Sequence, residues 1–216
     1  MATVDGLITL PFVHKRPAPP FEGRDICYPD SLVRHFLKAY THRGDKVFDP
    51  FAGLGTTLFT AEEMGRDPYG VEADARRHAW VAGQLVRWQQ FVHGDSAKLA
   101  SLRLPRMDFC MTSPPFMARN HRWNPLYAGD PGKAGYTRYL SRLARIFGEV
   151  AKIMKPGAMV VVQADNLHHG RVYTPLVRDF STAISRTLSP QGEIIVRWRP
   201  AKPGYPHTHC LLFKRG

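Results

Sequence analysis

From Asp30-Ser31, which reads as a helix start, the apolar residues Leu32, Val33, Phe36 and Leu37 recur at the three-and-four spacing of one helix face. After Gly44 the period changes. Lys46-Val47-Phe48 is a short strand-like run that stops at Asp49 and a glycine-containing turn, and helical spacing resumes over 57–64. The alternation continues with a strand predicted over 68–72 and a helix over 75–90, whose Trp80, Leu85 and Trp88 share or flank an apolar face. A short strand at 91–93 ends at Gly94-Asp95, and another covers 107–111. That strand runs into Thr112-Ser113-Pro114-Pro115-Phe116, where two prolines, lacking the amide donor of a ladder, forbid further pairing in a sheet interior.

Residues 117–135 are polar, aromatic and glycine-rich, a length at which a functional loop explains more than a connection does. A long amphipathic helix is predicted over 136–154, stopped by Lys155-Pro156-Gly157. A buried-type strand over 158–163, a helix over 175–188 and a pair of strands over 193–198 and 208–213 complete the chain. This alternation predicts an α/β fold: a mostly parallel sheet with a terminal antiparallel strand and helices on both faces. Residues 11–30, rich in proline and polar side chains, read as irregular, so the expected organisation is an arm over 1–27 and a single domain over 28–216.

Composition narrows the class. At 216 residues and 44% hydrophobic content the chain fills a core without disulfides, and its three cysteines, Cys27, Cys110 and Cys210, show no zinc or dithiol spacing. No stretch approaches 18 apolar residues and the first residues lack a signal-peptide pattern, which predicts a cytoplasmic protein with no membrane partner. The formal net charge of +12 favours a polyanion, with nucleic acid first among candidates.

The sharpest local pattern is Asp49-Pro50-Phe51-Ala52-Gly53-Leu54-Gly55-Thr56-Thr57, at the hand-over from a strand to a helix. Gly53 and Gly55 remove side chains that would keep a ligand off the backbone. The segment has neither the lysine of a phosphate loop nor the full glycine pattern of a dinucleotide site, so an adenosyl cofactor without phosphates fits better than ATP or NAD. Glu72, at the end of the second strand, is placed to accept hydrogen bonds from ribose hydroxyls, and Asp95, at the end of the third, from an adenine amino group.

Taken together, 49–57 and Ser113-Pro114-Pro115-Phe116 resemble the motifs of the DNA amino-methyltransferases, Rossmann-like class I enzymes, with the glycine loop preceding the catalytic tetrapeptide. The resemblance covers roughly 28–214 and implies S-adenosylmethionine as cofactor. It implies cofactor-binding roles for Tyr28, Pro29, Asp49, Phe51, Ala52, Gly53, Gly55, Thr56, Thr57, Glu72, Asp95 and Ser96, and catalytic roles for Ser113, Pro114, Pro115 and Phe116. The chemistry supports such a loop. An exocyclic amine becomes nucleophilic only as its nitrogen moves toward tetrahedral geometry, and acceptors such as Ser113 Oγ and the Pro114 carbonyl stabilise that change by attracting the amine protons. Phe116 would stack on an extruded base. Methylation of ring carbon 5 would need a cysteine nucleophile, and Cys110 stands in no Pro-Cys motif. Serine at the first motif position favours the 4-amino group of cytosine over the 6-amino group of adenine.

Arg119, His121, Arg122, Trp123 and Tyr127 mix cations with aromatics and form the expected nucleic-acid contact, with DNA favoured over RNA. Arg138, Arg142 and Arg145 read as an exposed helix stripe. His207 and His209 beside Cys210 read as structural or base-facing, and no metal is expected. The chain leaves little length for a separate target-recognition region, so recognition falls to 117–135, the N-terminal arm, a partner subunit or a short site. Competing readings are amino-group methylation of RNA or of protein glutamine, and a catalytically silent nucleic-acid-binding subunit. The oligomeric state stays open, a homodimer included.

Overall fold

The computed structural model describes residues 6–23, 27–202 and 204–216. Each change of hydrophobic period becomes a change of element. The strands are β1 (Leu7–Pro11), β2 (Lys46–Asp49), β3 (Asp67–Glu72), β4 (Phe91–His93), β5 (Met107–Thr112), β6 (Met154–Ala164), β7 (Leu167–His169), β8 (Val172–Thr174), β9 (Ser189–Lys202) and β10 (Tyr205–Lys214). The helices are α1 (Asp30–Tyr40), α2 (Thr56–Glu63), α3 (Ala75–Ala82), α4 (Tyr136–Ile153) and α5 (Leu176–Ile184).

Eight strands form one sheet in the order β1-β9-β10-β6-β5-β2-β3-β4, while β7 and β8 pair as a separate hairpin. The neighbours from β6 to β4 run parallel. β10 is antiparallel to both β6 and β9. This is the expected Rossmann-like α/β architecture, with its antiparallel strand at the chain terminus. α1 buries Leu32, Val33, Phe36 and Leu37 in a core that includes Val47, Phe109 and Trp198. α4 buries Tyr139, Leu143, Ile146, Phe147 and Val150 with the α5 residues Val177, Phe180 and Ile184 in a second core that includes Val160 and Val162. Alternate residues of β6 thus point to opposite cores, Val161 to one and Val160 and Val162 to the other, as the two-residue strand period requires.

Apart from shifted element ends, the structure departs from the expected elements in four places. The lead-in is not wholly irregular: β1 pairs with β9, Ile8 facing Val196 and Leu10 facing Trp198 in register, and Phe12 packs edge-on to Trp198. Its alternation of Ile8, Leu10 and Phe12 is too short to stand out beside the prolines that follow. The helix expected over 75–90 stops at Ala82, where Gly83 follows, and Trp88 is 53% exposed instead of sharing the apolar face. The β7–β8 hairpin was not foreseen. The segment expected as a loop before Thr208 is largely strand, since β9 runs on to Lys202 and β10 begins at Tyr205.

One topological feature positions the site. The chain leaves β2 for β3 and β4 on one side, then returns to place β5 on the other side of β2. The carboxyl ends of β2 and β5 therefore flank the crevice at which the strand order reverses, the usual ligand position in an open α/β sheet.

Candidate active site

Asp49, the last residue of β2, is 1% exposed. Its Oδ1 accepts from Phe51 N–H at 3.0 Å and Thr112 Oγ1 at 2.6 Å, and its Oδ2 accepts from the Tyr28 hydroxyl at 3.1 Å. The Tyr28 hydroxyl also meets that of Thr57, which reaches the Met111 carbonyl at 3.4 Å. Burial drives the Asp49 pKa up to about 6, with hydrogen bonds from Thr112, Phe51, Thr57 and Tyr28 opposing the shift. Asp49 is therefore a buried clamp joining the ends of β2 and β5 to Tyr28.

Gly55 (φ 77°) precedes α2, and a side chain there would meet Val81 Cγ1 at 2.8 Å and Phe59 Cε2 at 2.9 Å. Its glycine serves the packing of α2 against α3. Gly53 (φ 53°) is different, because the nearest atom to a side chain there is 3.9 Å away and the residue lines a cavity. Glu72, at the end of β3, is 8% exposed; its Oε2 accepts from Gly53 N–H at 2.7 Å and its Oε1 from Asp74 N–H at 2.8 Å. Burial raises its pKa, and those two amides oppose the rise. Glu72 thus props the glycine loop open as well as facing the cavity.

That cavity, about 1460 Å³, runs from the glycine loop past Glu72, Asp95 and Ser96 to Ser113–Phe116. It exceeds the roughly 300–1,000 Å³ of a single small-molecule pocket, so it has room for a cofactor and a base together. Of the expected cofactor residues, Tyr28, Asp49, Phe51, Ala52, Gly53, Thr56, Glu72, Asp95 and Ser96 line it; Pro29, Gly55 and Thr57 do not. Thr56 Oγ1, buried and without a hydrogen-bond partner, is the orphaned group that a polar ligand would satisfy. Beyond Glu72 along the same wall, Asp95 Oδ1 accepts from Ala97 N–H at 2.8 Å, while Oδ2 pairs with Arg142 at 2.5 Å. The Arg142 guanidinium lies 4.1 Å from the Tyr127 ring centroid, its side chain 14% exposed. The expected exposed stripe is thereby corrected: Arg142 turns inward because Asp95 and Tyr127 offer it a charge and a π-face.

The catalytic loop follows β5, and behind Ser113 stands a polar network drawn from β6 and β10. Ser113 Oγ donates to Gln163 Oε1 at 2.6 Å, and Gln163 Nε2 lies 2.8 Å from Asp165 Oδ2 and 2.6 Å from Thr208 Oγ1. The Tyr205 hydroxyl donates to Asp165 Oδ2 at 2.7 Å and Thr208 Oγ1 donates to it at 3.0 Å. An ionised carboxylate only accepts, so it turns the amide nitrogen of Gln163 toward itself and the amide oxygen toward Ser113. The Ser113 proton is then committed to Gln163 and its lone pairs stay available as acceptors. All three bonds to Asp165 go to Oδ2, leaving Oδ1 with no partner among the described residues in a side chain that lines the cavity. Burial raises the Asp165 pKa, opposed first by the hydrogen bonds from Tyr205 and Thr208. Gln163, Asp165 and Tyr205 escaped the sequence reading, since nothing in their local pattern ties residues 40 positions apart.

Pro114 and Pro115 line the cavity, with the Pro115 carbonyl held by the Tyr139 hydroxyl at 2.9 Å. Phe116 lines it too, and its ring meets Phe180 edge-on at 6.1 Å, so it is both a core aromatic and a cavity wall. The five expected nucleic-acid residues divide. Trp123 and Tyr127 line the main cavity, whereas His121 and Arg122 line a smaller one beside it. Arg119 is tied to Asp179 at 3.0 Å. Among the described residues, no group of three or more metal-ligating side chains occurs, and His209 meets Glu193.

Comparison with solved structures defines the class. The fold matches TrmN from Thermus thermophilus (TM-score 0.64, 16% identity, 91% of this chain and 51% of that one). It also matches a methyltransferase from Pyrococcus furiosus (TM-score 0.54, 16% identity, 84% and 80%). The chain therefore has the Rossmann-like fold of class I methyltransferases. Residues 13–82 match the DNA methylase family model. Curated relatives include the type II methyltransferases M.MjaI of Methanocaldococcus jannaschii, 37% identical over 60 residues, and M.BglII of Bacillus subtilis, 29% identical over 76 residues. These matches span 28% and 35% of this chain but only 20% and 21% of the relatives. Together they support a DNA amino-methyltransferase family and S-adenosylmethionine as the cofactor.

Proposed function

We propose that the chain transfers a methyl group from S-adenosylmethionine to the exocyclic amino group of a base in DNA, the 4-amino group of cytosine in particular. The observation that carries this reading is the orientation of Ser113. Because Gln163 holds the Ser113 proton, Oγ meets an incoming amine as an acceptor, and Asp165 Oδ1 offers a second acceptor in the same cavity. Two acceptors suit an amine that carries two protons and must shed one as its nitrogen forms a fourth bond. Bound S-adenosylmethionine supplies an electrophilic methyl group on a sulfonium. Glu72 and Thr56 are the residues that would hold its polar groups, with Gly53 allowing close backbone approach. Phe116 and the two prolines shape a rigid wall against which a base is oriented, so little reorganisation accompanies reaction.

The test uses the full chain, radiolabelled cofactor and unmethylated duplex DNA, digested to nucleosides and separated. Labelled N4-methylcytosine is expected. Labelled N6-methyladenine alone would sink the cytosine assignment, and label confined to RNA in a parallel reaction would sink the DNA assignment.

A further inference from the structure

Beside the catalytic cavity lies a second one of about 530 Å³, lined by Asn120, His121, Arg122, Trp123, Gly129 and His169 among others. Trp123 belongs to both and forms the partition between them. We propose that this smaller cavity is a second nucleobase subsite, taking the unstacked DNA base next to the one being methylated; the inference rests on the reading of the chain as a DNA base methyltransferase.

Trp123 is 58% exposed yet held in place. Its indole packs closely against Gly129, where a side chain would come within 2.1 Å of the ring, and its N–H on the backbone donates to His121 Nδ1 at 3.2 Å. An exposed, fixed aromatic face is what an unstacked base lies against, and its rigidity spares the ordering of a flexible side chain. The polar edge is equally fixed. Asn120 Nδ2 donates to the His169 carbonyl at 3.2 Å, Asn120 Oδ1 lies 3.1 Å from His169 Nδ1, and the His121 and His169 rings meet at 5.4 Å. The β7–β8 hairpin that carries His169 is anchored to the loop by Arg119 N–H, which donates to Thr174 Oγ1 at 2.9 Å.

Charge points to a polyanion as the occupant. Arg122 in the loop and Arg171 at the hairpin turn are exposed, and neither has a hydrogen bond or ion pair among the described residues. The hairpin residues 167–174 include no acid, and Asp130, the only acid in 117–135, pairs with Lys133 at 3.3 Å. A platform for a base beside two unpaired cations matches a nucleotide and its flanking phosphates.

The test compares the full wild-type chain with Trp123→Ala and Trp123→Phe on duplex DNA, with labelled cofactor and sequencing of the methylated positions. Trp123→Ala is expected to raise the KM for DNA roughly 5- to 100-fold, the range carried by stacking one base, more than it lowers kcat. It should also broaden the identity of the neighbouring base, leaving the cofactor Kd unchanged. Trp123→Phe should recover most of the KM while losing the fluorescence quenching that DNA induces in the wild type. An unchanged KM and neighbour preference in Trp123→Ala, with the wild type active on DNA, overturns the subsite alone. A wild type that methylates no DNA overturns the parent reading as well, and a Trp123 dependence seen only on single-stranded RNA overturns DNA as the occupant.

Discussion

At the glycine-loop end of the cavity Asp49, Glu72 and Asp95 each have both carboxylate oxygens hydrogen-bonded by the protein, whereas at the rim Arg122 and Arg171 are exposed with no ion pair among the described residues and Trp123 exposes its ring. The first arrangement is rigid before any ligand arrives, which suits a small cofactor of one shape. The second gathers charge and aromatic surface on a loop and a hairpin, which suits a polymer whose sequence varies. Between them Ser113 shares features of both: its hydrogen bond to Gln163 fixes its orientation, and it lines the open cavity.

If this division holds, changes in the middle should alter transfer and leave cofactor binding alone. Ser113→Ala removes one acceptor and is expected to lower kcat by roughly 10²–10³-fold, as loss of one preorganised hydrogen-bonding group does. Calorimetric titration should give an unchanged cofactor Kd; a parallel loss of affinity would break the distinction between the two ends. Gly55→Ala should act on the fold, since it combines a left-handed backbone with contacts of 2.8 and 2.9 Å to Val81 and Phe59. A loss of about 3 kcal/mol is expected from strain and overpacking, read as a lower Tm.

The smallest effect concerns Asp49 and sharpens how dry the cofactor end is. Its folded pKa of about 6 lies above that of the unfolded chain, so the native state binds the proton more tightly. Asp49 therefore stabilises the fold most below about pH 4, loses that contribution as pH rises through about 6, and adds no further slope above it. Denaturant melts from pH 4 to 7 should show the wild type losing about 2 kcal/mol relative to Asp49→Asn over that interval. Parallel stability curves would mean that the Asp49 carboxylate is well solvated.

Much of the cofactor end was legible because its parts are local. The period change around Phe48, the glycines at 53 and 55 and the acids closing β3 and β4 lie within fifty residues, and strand ends of a parallel sheet converge by topology alone. Even there the sequence did not separate Gly53, which lines the cavity, from Gly55, which packs against Val81. The rim was legible as composition and not as shape. Arg119 and Arg122 read alike, yet one is bound to Asp179 and the other lines the smaller cavity with no ion pair among the described residues.

The order of the five helices and of strands β2 to β6, β9 and β10, the glycine loop and the Ser113–Phe116 segment followed from the sequence by itself, because backbone period and proline and glycine chemistry act over a few residues. Tertiary structure alone decided that β1 extends the sheet and that Arg142 turns inward to Asp95. It also decided that Gln163, Asp165, Tyr205 and Thr208 meet behind Ser113. Those contacts join residues far apart in the chain, and the register of β6 against β10, set by the packing of two cores, determines which side chains face one another.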